Sequence, residues 1–160
     1  MNPEATAIPE QVVRRGEYCI SADRSAVDIA ATHAYLSQSY WARGIPLATV
    51  ARSIENSLCF SLHDGRHNQV GFARVVTDYA TFAYLCDVYV LPEHGGHGLG
   101  KWLMQTLMDW PSLHGLRRFL LATRDAHGLY AQYGFTPLGA PERLMEVLQP
   151  DIYTRPATAG

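Results

Sequence analysis

Apolar residues along this chain fall into short segments of two kinds, some spaced for strands and some for helices. Leu58 to Leu62 and Gln69 to Val76 are rich in apolar and β-branched residues and flank the turn His63-Asp64-Gly65, so they predict a hairpin. Asp78-Tyr79-Ala80 then turns the chain into a third apolar run, Phe82 to Val90, which stops at Pro92. Before the hairpin, a helix is predicted over Val27 to Leu36 with Asp23 or Ser25 as its cap. A second begins at Pro46 or Leu47, runs through Ile54 and ends at Asn56. After Pro92, the spacing of Leu99, Trp102, Leu103, Thr106 and Leu107 is helical up to about Trp110, where Pro111 stops it. Arg118 to Thr123 reads as a buried strand, about Ala126 to Tyr133 as a short helix closed by Gly134, and Phe135 to Leu138 and Leu144 to Leu148 as two final strands. Hairpins mixed with helices predict an α/β (α+β) domain with a mixed sheet, not a strictly alternating doubly wound fold.

At 160 residues the chain makes one domain with a real core, predicted over 17–150 between an arm at 1–16 and a tail at 151–160. Hydrophobic content of 48% with 18% charged residues excludes wholesale disorder. A net charge of −2 gives no reason to expect nucleic acid. No run reaches the eighteen or so apolar residues of a membrane span, and MNPEATAIPE lacks the basic, apolar-cored pattern expected of a secretion signal. Cys19, Cys59 and Cys86 are odd in number and far apart, which indicates buried thiols in a reducing cytoplasm rather than disulfides or a zinc site. A catalytic Cys86 is the weaker reading beside a buried strand thiol. No metal is expected.

The chemistry concentrates at the junction after Val90. His94 to Gly100 holds four glycines in seven residues and leads directly into a helix, without an aspartate or glutamate between His94 and Trp102. Glycines let backbone N–H groups approach a phosphate, and a helix start leaves N–H groups unpaired at its positive dipole end. Gly96, Gly98 and Gly100 stand at every second position, which fails the dinucleotide spacing G-x-G-x-x-G. Trp102 replaces the hydroxyl residue that a Walker loop requires after Lys101.

The segment instead resembles the acetyl-CoA loop of the GNAT superfamily N-acetyltransferases, [Q/R]-x-x-G-x-[G/A], with Gly98 and Gly100 at its small positions. V-x-V-x-P before it, and A-x-x-L-Y-x-x-x-G-F over Ala126, Leu129, Tyr130, Gly134 and Phe135, resemble two further parts of that family in the right order. The resemblance covers roughly Val70 to Phe135 well and implies the GNAT fold, in which two parallel strands splay apart and acetyl-CoA lies in the gap. It implies that the backbone of Val88, Tyr89 and Val90 bonds the pantetheine arm, and that N–H groups of Gly95, Gly96, His97, Gly98, Leu99, Gly100 and Lys101 hold the pyrophosphate. Thr123 sits where many members carry an asparagine contacting the cofactor. Gly95 replaces the usual arginine or glutamine and His97 a frequent basic residue, which leaves Lys101 as the loop's permanent charge.

The implied reaction is direct attack of an amine on the thioester, with Tyr130 as the acid that quenches the leaving thiolate. Asp87 is a carboxylate among Leu85, Cys86, Val88 and Val90, so it needs a partner. Some members acting on small amines carry an acid at this place, which implies amine binding or proton removal. The plain alternative is an ion pair with Arg74 or Arg124. Tyr40 and Trp41 stand where the family builds one wall of the acceptor site, and Tyr79 and Tyr84 join the expected wall, which suits a cationic amine. Tyr84 also stands where protein-acetylating members carry a glutamate base. His127 is a weaker candidate acid or base. Other readings stay open: a peptide or protein amine as acceptor, a non-catalytic acyl-CoA-binding or regulatory domain, a nucleotide-binding module, and a homodimer.

Overall fold

The computed structural model describes residues 11–156. Most of the arm expected at 1–16 and the end of the tail lie outside those residues. The described part is one six-stranded sheet with helices on both faces, in the spatial order β1-β2-β3-β4-β5-β6. The strands are β1 (Val12–Arg15), β2 (Tyr18–Ser21), β3 (Leu58–His63), β4 (Gln69–Thr77), β5 (Phe82–Val90) and β6 (Arg118–Leu121). All neighbours are antiparallel except β5 and β6, which run parallel. The helices are α1 (Ile29–Leu36), α2 (Leu47–Glu55), α3 (Leu99–Met108) and α4 (His127–Ala131).

One apolar layer forms where Leu99, Leu103, Met104 and Leu107 of α3, spaced one helical turn apart, close over Phe60, Leu62, Val75, Ala83 and Leu85. On the other face, Leu36 of α1 and Val50 and Ile54 of α2 pack on Cys59, Phe72 and Tyr89. Fully burying each such side chain contributes roughly 1.5–3 kcal/mol. The sheet is therefore covered on both sides along its middle, and β5 sits where the two layers meet.

Three sequence expectations are corrected. Val12–Arg15, read as part of a loose arm, is an edge strand paired with β2. Asp28, not Asp23 or Ser25, caps α1 by accepting from the Ala31 N–H at 2.9 Å, while Asp23 caps a short 3-10 turn at Arg24–Ala26. Phe135 to Leu138 and Leu144 to Leu148 form no strand. Phe135 does pack edge-on against Phe119, with ring centroids 5.4 Å apart. Strands need a ladder, however, and the outer edge of β6 is left without one among the described residues.

Candidate functional site

The pairing of β5 with β6 creates an opening. Phe82 to Leu85 lie opposite Arg118 to Leu121, and there β6 stops while β5 runs on to Val90. Cys86 to Val90 thus present one free backbone edge, at the place where the sequence resemblance put the pantetheine arm. Within the same stretch the ladder with β4 slips. Phe72 faces Tyr89 but Arg74 faces Cys86, so β5 carries one extra residue, and Asp87 takes a left-handed φ of 55°. The side-chain alternation reverses at this bulge. Ala83 and Leu85 face the α3 layer; beyond the slip it is Val88 and Val90 that do, while Tyr89 turns to the α1–α2 layer.

At the end of β5 the chain makes a 3-10 turn at Pro92–His94 and enters the glycine loop. Gly98 caps α3 in the left-handed region, φ 69°. The Trp102 N–H reaches the Gly98 carbonyl at 3.0 Å, and the N–H groups of Gly96 to Lys101 donate to no backbone carbonyl among the described residues. A Cβ built on Gly100 would meet nothing within 4 Å, so open space lies directly over the first turn of the helix. Unpaired donors, a dipole end and room above them fit a diphosphate. The loop also gains a cation from a distant part of the chain. Arg15 of β1 lies over the Trp102 ring, 5.8 Å from its centroid, with a guanidinium nitrogen 3.6 Å from where a Gly98 Cβ would stand. The β1–β2 hairpin reaches the loop a second time through a 2.9 Å hydrogen bond between the Tyr18 hydroxyl and His94 Nδ1. Nothing in the sequence pattern near residue 95 signalled Arg15.

On the opposite side of the opening, α4 carries Tyr130. The Tyr133 hydroxyl donates to the Lys101 carbonyl at 2.9 Å, which ties this helix to the start of α3. Thr123 accepts from the Ala126 N–H at 3.0 Å, so its hydroxyl holds the entry to α4. The Tyr130 hydroxyl has no hydrogen-bond partner among the described residues. Burial pushes its pKa above the ordinary phenol value, with Tyr40 and Asp125 adding to the shift, and it stays protonated at neutral pH.

The expected aromatic wall forms in part. Tyr40 and Trp41 pack edge to face at 5.1 Å, and the Arg124 guanidinium lies 3.9 Å from the Tyr40 ring centroid. Tyr35, which sequence reasoning missed, extends the wall by stacking on Tyr89 at 3.9 Å and approaching Trp41 at 6.3 Å. Tyr84 is half-buried on β5, and burial raises its pKa. Tyr79 sits at the turn before Phe82, so it is set back by five strand residues, about 17 Å, from Asp87. No aromatic contact joins it to Tyr40 or Trp41 among the described residues.

Asp87 is 9% exposed and both its oxygens are engaged. Arg74 Nε donates to Oδ2 at 2.8 Å and Trp41 Nε1 donates to Oδ1 at 2.9 Å, while Arg74 also donates to Ser57 Oγ at 3.1 Å. Of the two arginines considered from sequence, Arg74 is the partner and Arg124 goes to Tyr40. Asp87→Asn keeps an acceptor for Trp41 and tolerates left-handed backbone, but it strands a largely buried guanidinium. The variant is expected to lose about 2–3 kcal/mol in a urea unfolding experiment. Asp87→Ala should lose about 1 kcal/mol more, because alanine adopts that φ poorly. Burial holds the Cys86 thiol up at about 12 and Cys59 at about 11, so neither is a thiolate at neutral pH. Among the described residues no cluster of His, Cys, Asp or Glu could hold a metal, and no helix is long and apolar enough to cross a membrane.

Comparison with known proteins agrees with this geometry. The family model described as acetyltransferase (GNAT) family matches residues 26–135. The crystal structure of an acetyltransferase-like GNAT protein from Xanthomonas campestris pv. campestris superposes with a TM-score of 0.85 at 54% identity, covering 89% of this chain and 100% of that one. An acetyltransferase-like protein of Gibberella zeae is 35% identical over 141 residues, 74% of this chain and 78% of its own. A protein named histone acetyltransferase TAP1 from Glycine max is 32% identical over 103 residues, 58% of this chain and 44% of its own.

Proposed function

Because the chain belongs to the acetyltransferase (GNAT) family, we propose that it transfers an acetyl group from acetyl-CoA to the primary amine of a small molecule by direct attack. The observation that carries this is the free edge of β5 at Cys86 to Val90, which leads straight into the unpaired N–H groups of Gly96 to Lys101. One continuous row of backbone donors and acceptors is thereby offered to an extended chain that ends in a diphosphate.

Each group has a role in this reading. Acetyl-CoA supplies the activated acetyl group when bound. The β5 edge holds the donor like an added strand and provides an N–H to polarise the thioester oxygen. The N–H groups of the loop, with Lys101 and Arg15, hold the phosphates. Tyr130, protonated and without a hydrogen-bond partner among the described residues, gives its proton to the thiolate as the C–S bond breaks, and the proton that the amine sheds on forming the C–N bond passes through solvent to the phenolate left behind. Tyr40 and Trp41 line the acceptor side, where an aromatic face attracts an ammonium group before it loses its proton. Asp87, with both oxygens occupied, acts as a positioning residue: it fixes the indole of Trp41 through Nε1 rather than taking the amine proton itself. Burial of the donor arm excludes water from the thioester.

Free thiol release from acetyl-CoA, measured across a panel of small amines, polyamines and lysine peptides, tests the proposal. Amine-dependent release with a small molecule preferred supports it, and acetyl-CoA binding without release for any amine would reassign the domain as a binding module. A peptide or protein amine is the second reading, favoured by the likeness to the soybean protein named as a histone acetyltransferase. Preference for lysine peptides in the same panel would select it.

A further inference from the structure

Between α1 and the end of β5 lies a hollow that no step of the proposed reaction uses. It has a volume of about 500 Å³ and is walled by Ala31, Ala34 and Tyr35 of α1, by the Tyr89 side chain and by Leu91. Tyr89 is the one residue it shares with the opening assigned to the cofactor. The Tyr89 backbone lies on the free edge of β5, whereas its ring turns to the α1–α2 layer.

The polar side chains at its floor are engaged within the protein. Ser39 Oγ donates to the Leu36 carbonyl at 2.6 Å. Gln69 Nε2 donates to Thr32 Oγ1 at 2.8 Å and to the Tyr89 hydroxyl at 3.2 Å, and its Oε1 accepts from the Asp28 N–H at 2.8 Å. Turning such a buried amide toward a ligand would leave its partners unpaired. The exposed Gln38 amide and the Tyr35 hydroxyl have no partner among the described residues, and no charged residue lines the hollow. It therefore offers apolar contact to a ligand and no counter-charge. The hollow also continues the aromatic wall. Tyr35 stacks on Tyr89 at 3.9 Å, with 9° between the ring planes, and its other neighbour is Trp41 at 6.3 Å. Trp41 in turn is held by Asp87 at the β5 bulge, beside the edge that receives the thioester in the proposed reaction.

We propose that this hollow binds the tail of the acceptor, and that the acceptor is a monoamine with an apolar body; this rests on the acetyl transfer proposed above. The ammonium group sits at Trp41 and Tyr40, and the tail runs along Tyr35 to lie against Ala31, Ala34 and Leu91. Apolar surface leaving water supplies the affinity. A second ammonium at the far end of the tail would lose its water and meet no carboxylate, so diamines, polyamines and lysine peptides are the poorer acceptors.

The test compares kcat/KM for ethylamine, butylamine, hexylamine and hexamethylenediamine on the full chain. The value should rise on the order of threefold for each methylene that enters the hollow. Hexamethylenediamine, equal in length to hexylamine, should fall about tenfold or more below it. Ala34 is exposed on α1 and belongs to neither buried layer, so its variants should stay folded by circular dichroism. Ala34→Trp fills the hollow and should bring hexylamine to within about threefold of ethylamine. Ala34→Asp supplies a carboxylate and should reverse the order, with the diamine preferred over hexylamine. Calorimetry of hexylamine binding in the presence of CoA, which carries no acetyl group, needs no turnover and should show Ala34→Trp about tenfold weaker than wild type. That difference in a protein that acetylates nothing would keep the hollow and sink the activity. A flat series, equal use of the diamine by the wild type, or an order of preference unmoved in both folded variants would each overturn the proposal.

Discussion

Gly100→Val is expected to abolish acetyl-CoA binding while the protein remains folded. Gly100 lies in the first turn of α3, its φ is outside the left-handed region, and a Cβ there meets no protein atom within 4 Å. A β-branched residue at this point disturbs little of the protein, since valine is a somewhat better helix former than the glycine it replaces. It does fill the space over the unpaired N–H groups, where phosphate oxygens must come within about 2.9 Å. Binding measured by calorimetry should weaken at least a hundredfold, on the order of 2.7 kcal/mol. Gly98→Val makes an instructive contrast. Its φ of 69° is strained for valine whatever the ligand does, so that variant should lose both stability and binding. Unchanged affinity in a folded Gly100→Val protein would remove the phosphate site from this loop.

Tyr130→Phe should lower kcat by about a hundredfold or more, the usual scale for a positioned general acid, while the KM for acetyl-CoA changes little. The substitution removes only a hydroxyl that has no hydrogen-bond partner among the described residues, so the fold should lose little. The pH profile provides a second check. Burial raises the phenol pKa, and the acid form is the working one, so the contribution of Tyr130 should be complete through the neutral range. It should fall only as pH climbs past that raised value, above the ordinary phenol pKa of about 10. In the phenylalanine variant that alkaline decline should be missing. An unchanged kcat would pass the proton to water or to His127.

Much of this architecture could be read from the residues because local pattern and tertiary role coincide there. Phe82–Val90 is a strand between a turn and a proline, and it emerged with those bounds. The leucines of α3 carry a helical stripe because one face must meet the sheet. What escaped was non-local. VVRR is too short to declare itself a strand, and only its pairing with β2 brings Arg15 over Trp102. The isolation of Asp87 announced a partner but not which arginine, because the choice depends on the ladder between β4 and β5. Leu144 to Leu148 has the composition of a strand, and composition states that a segment favours pairing without saying with what.

The extra residue in β5 sets the phase of everything that follows it. Flattening the bulge with every residue kept would send Val88 and Val90 out of the α3 layer and bring Tyr89 into it, exchanging an aliphatic floor for a phenol. A residue added between Val88 and Tyr89 would likewise turn Tyr89 into that layer and Val90 out of it, whereas deleting Asp87 would leave the apolar side chains on their own faces and remove only the acid that holds Arg74 and Trp41. The strand behaves like a reading frame whose phase is set once, at the bulge, and is read out at Pro92. Sequences built on this plan can vary the hairpin turn at residues 78–81, where added residues loop into solvent, but must keep the count from Asp87 to the glycine loop. Spacing, more than residue identity, is what a descendant of this chain would be obliged to preserve.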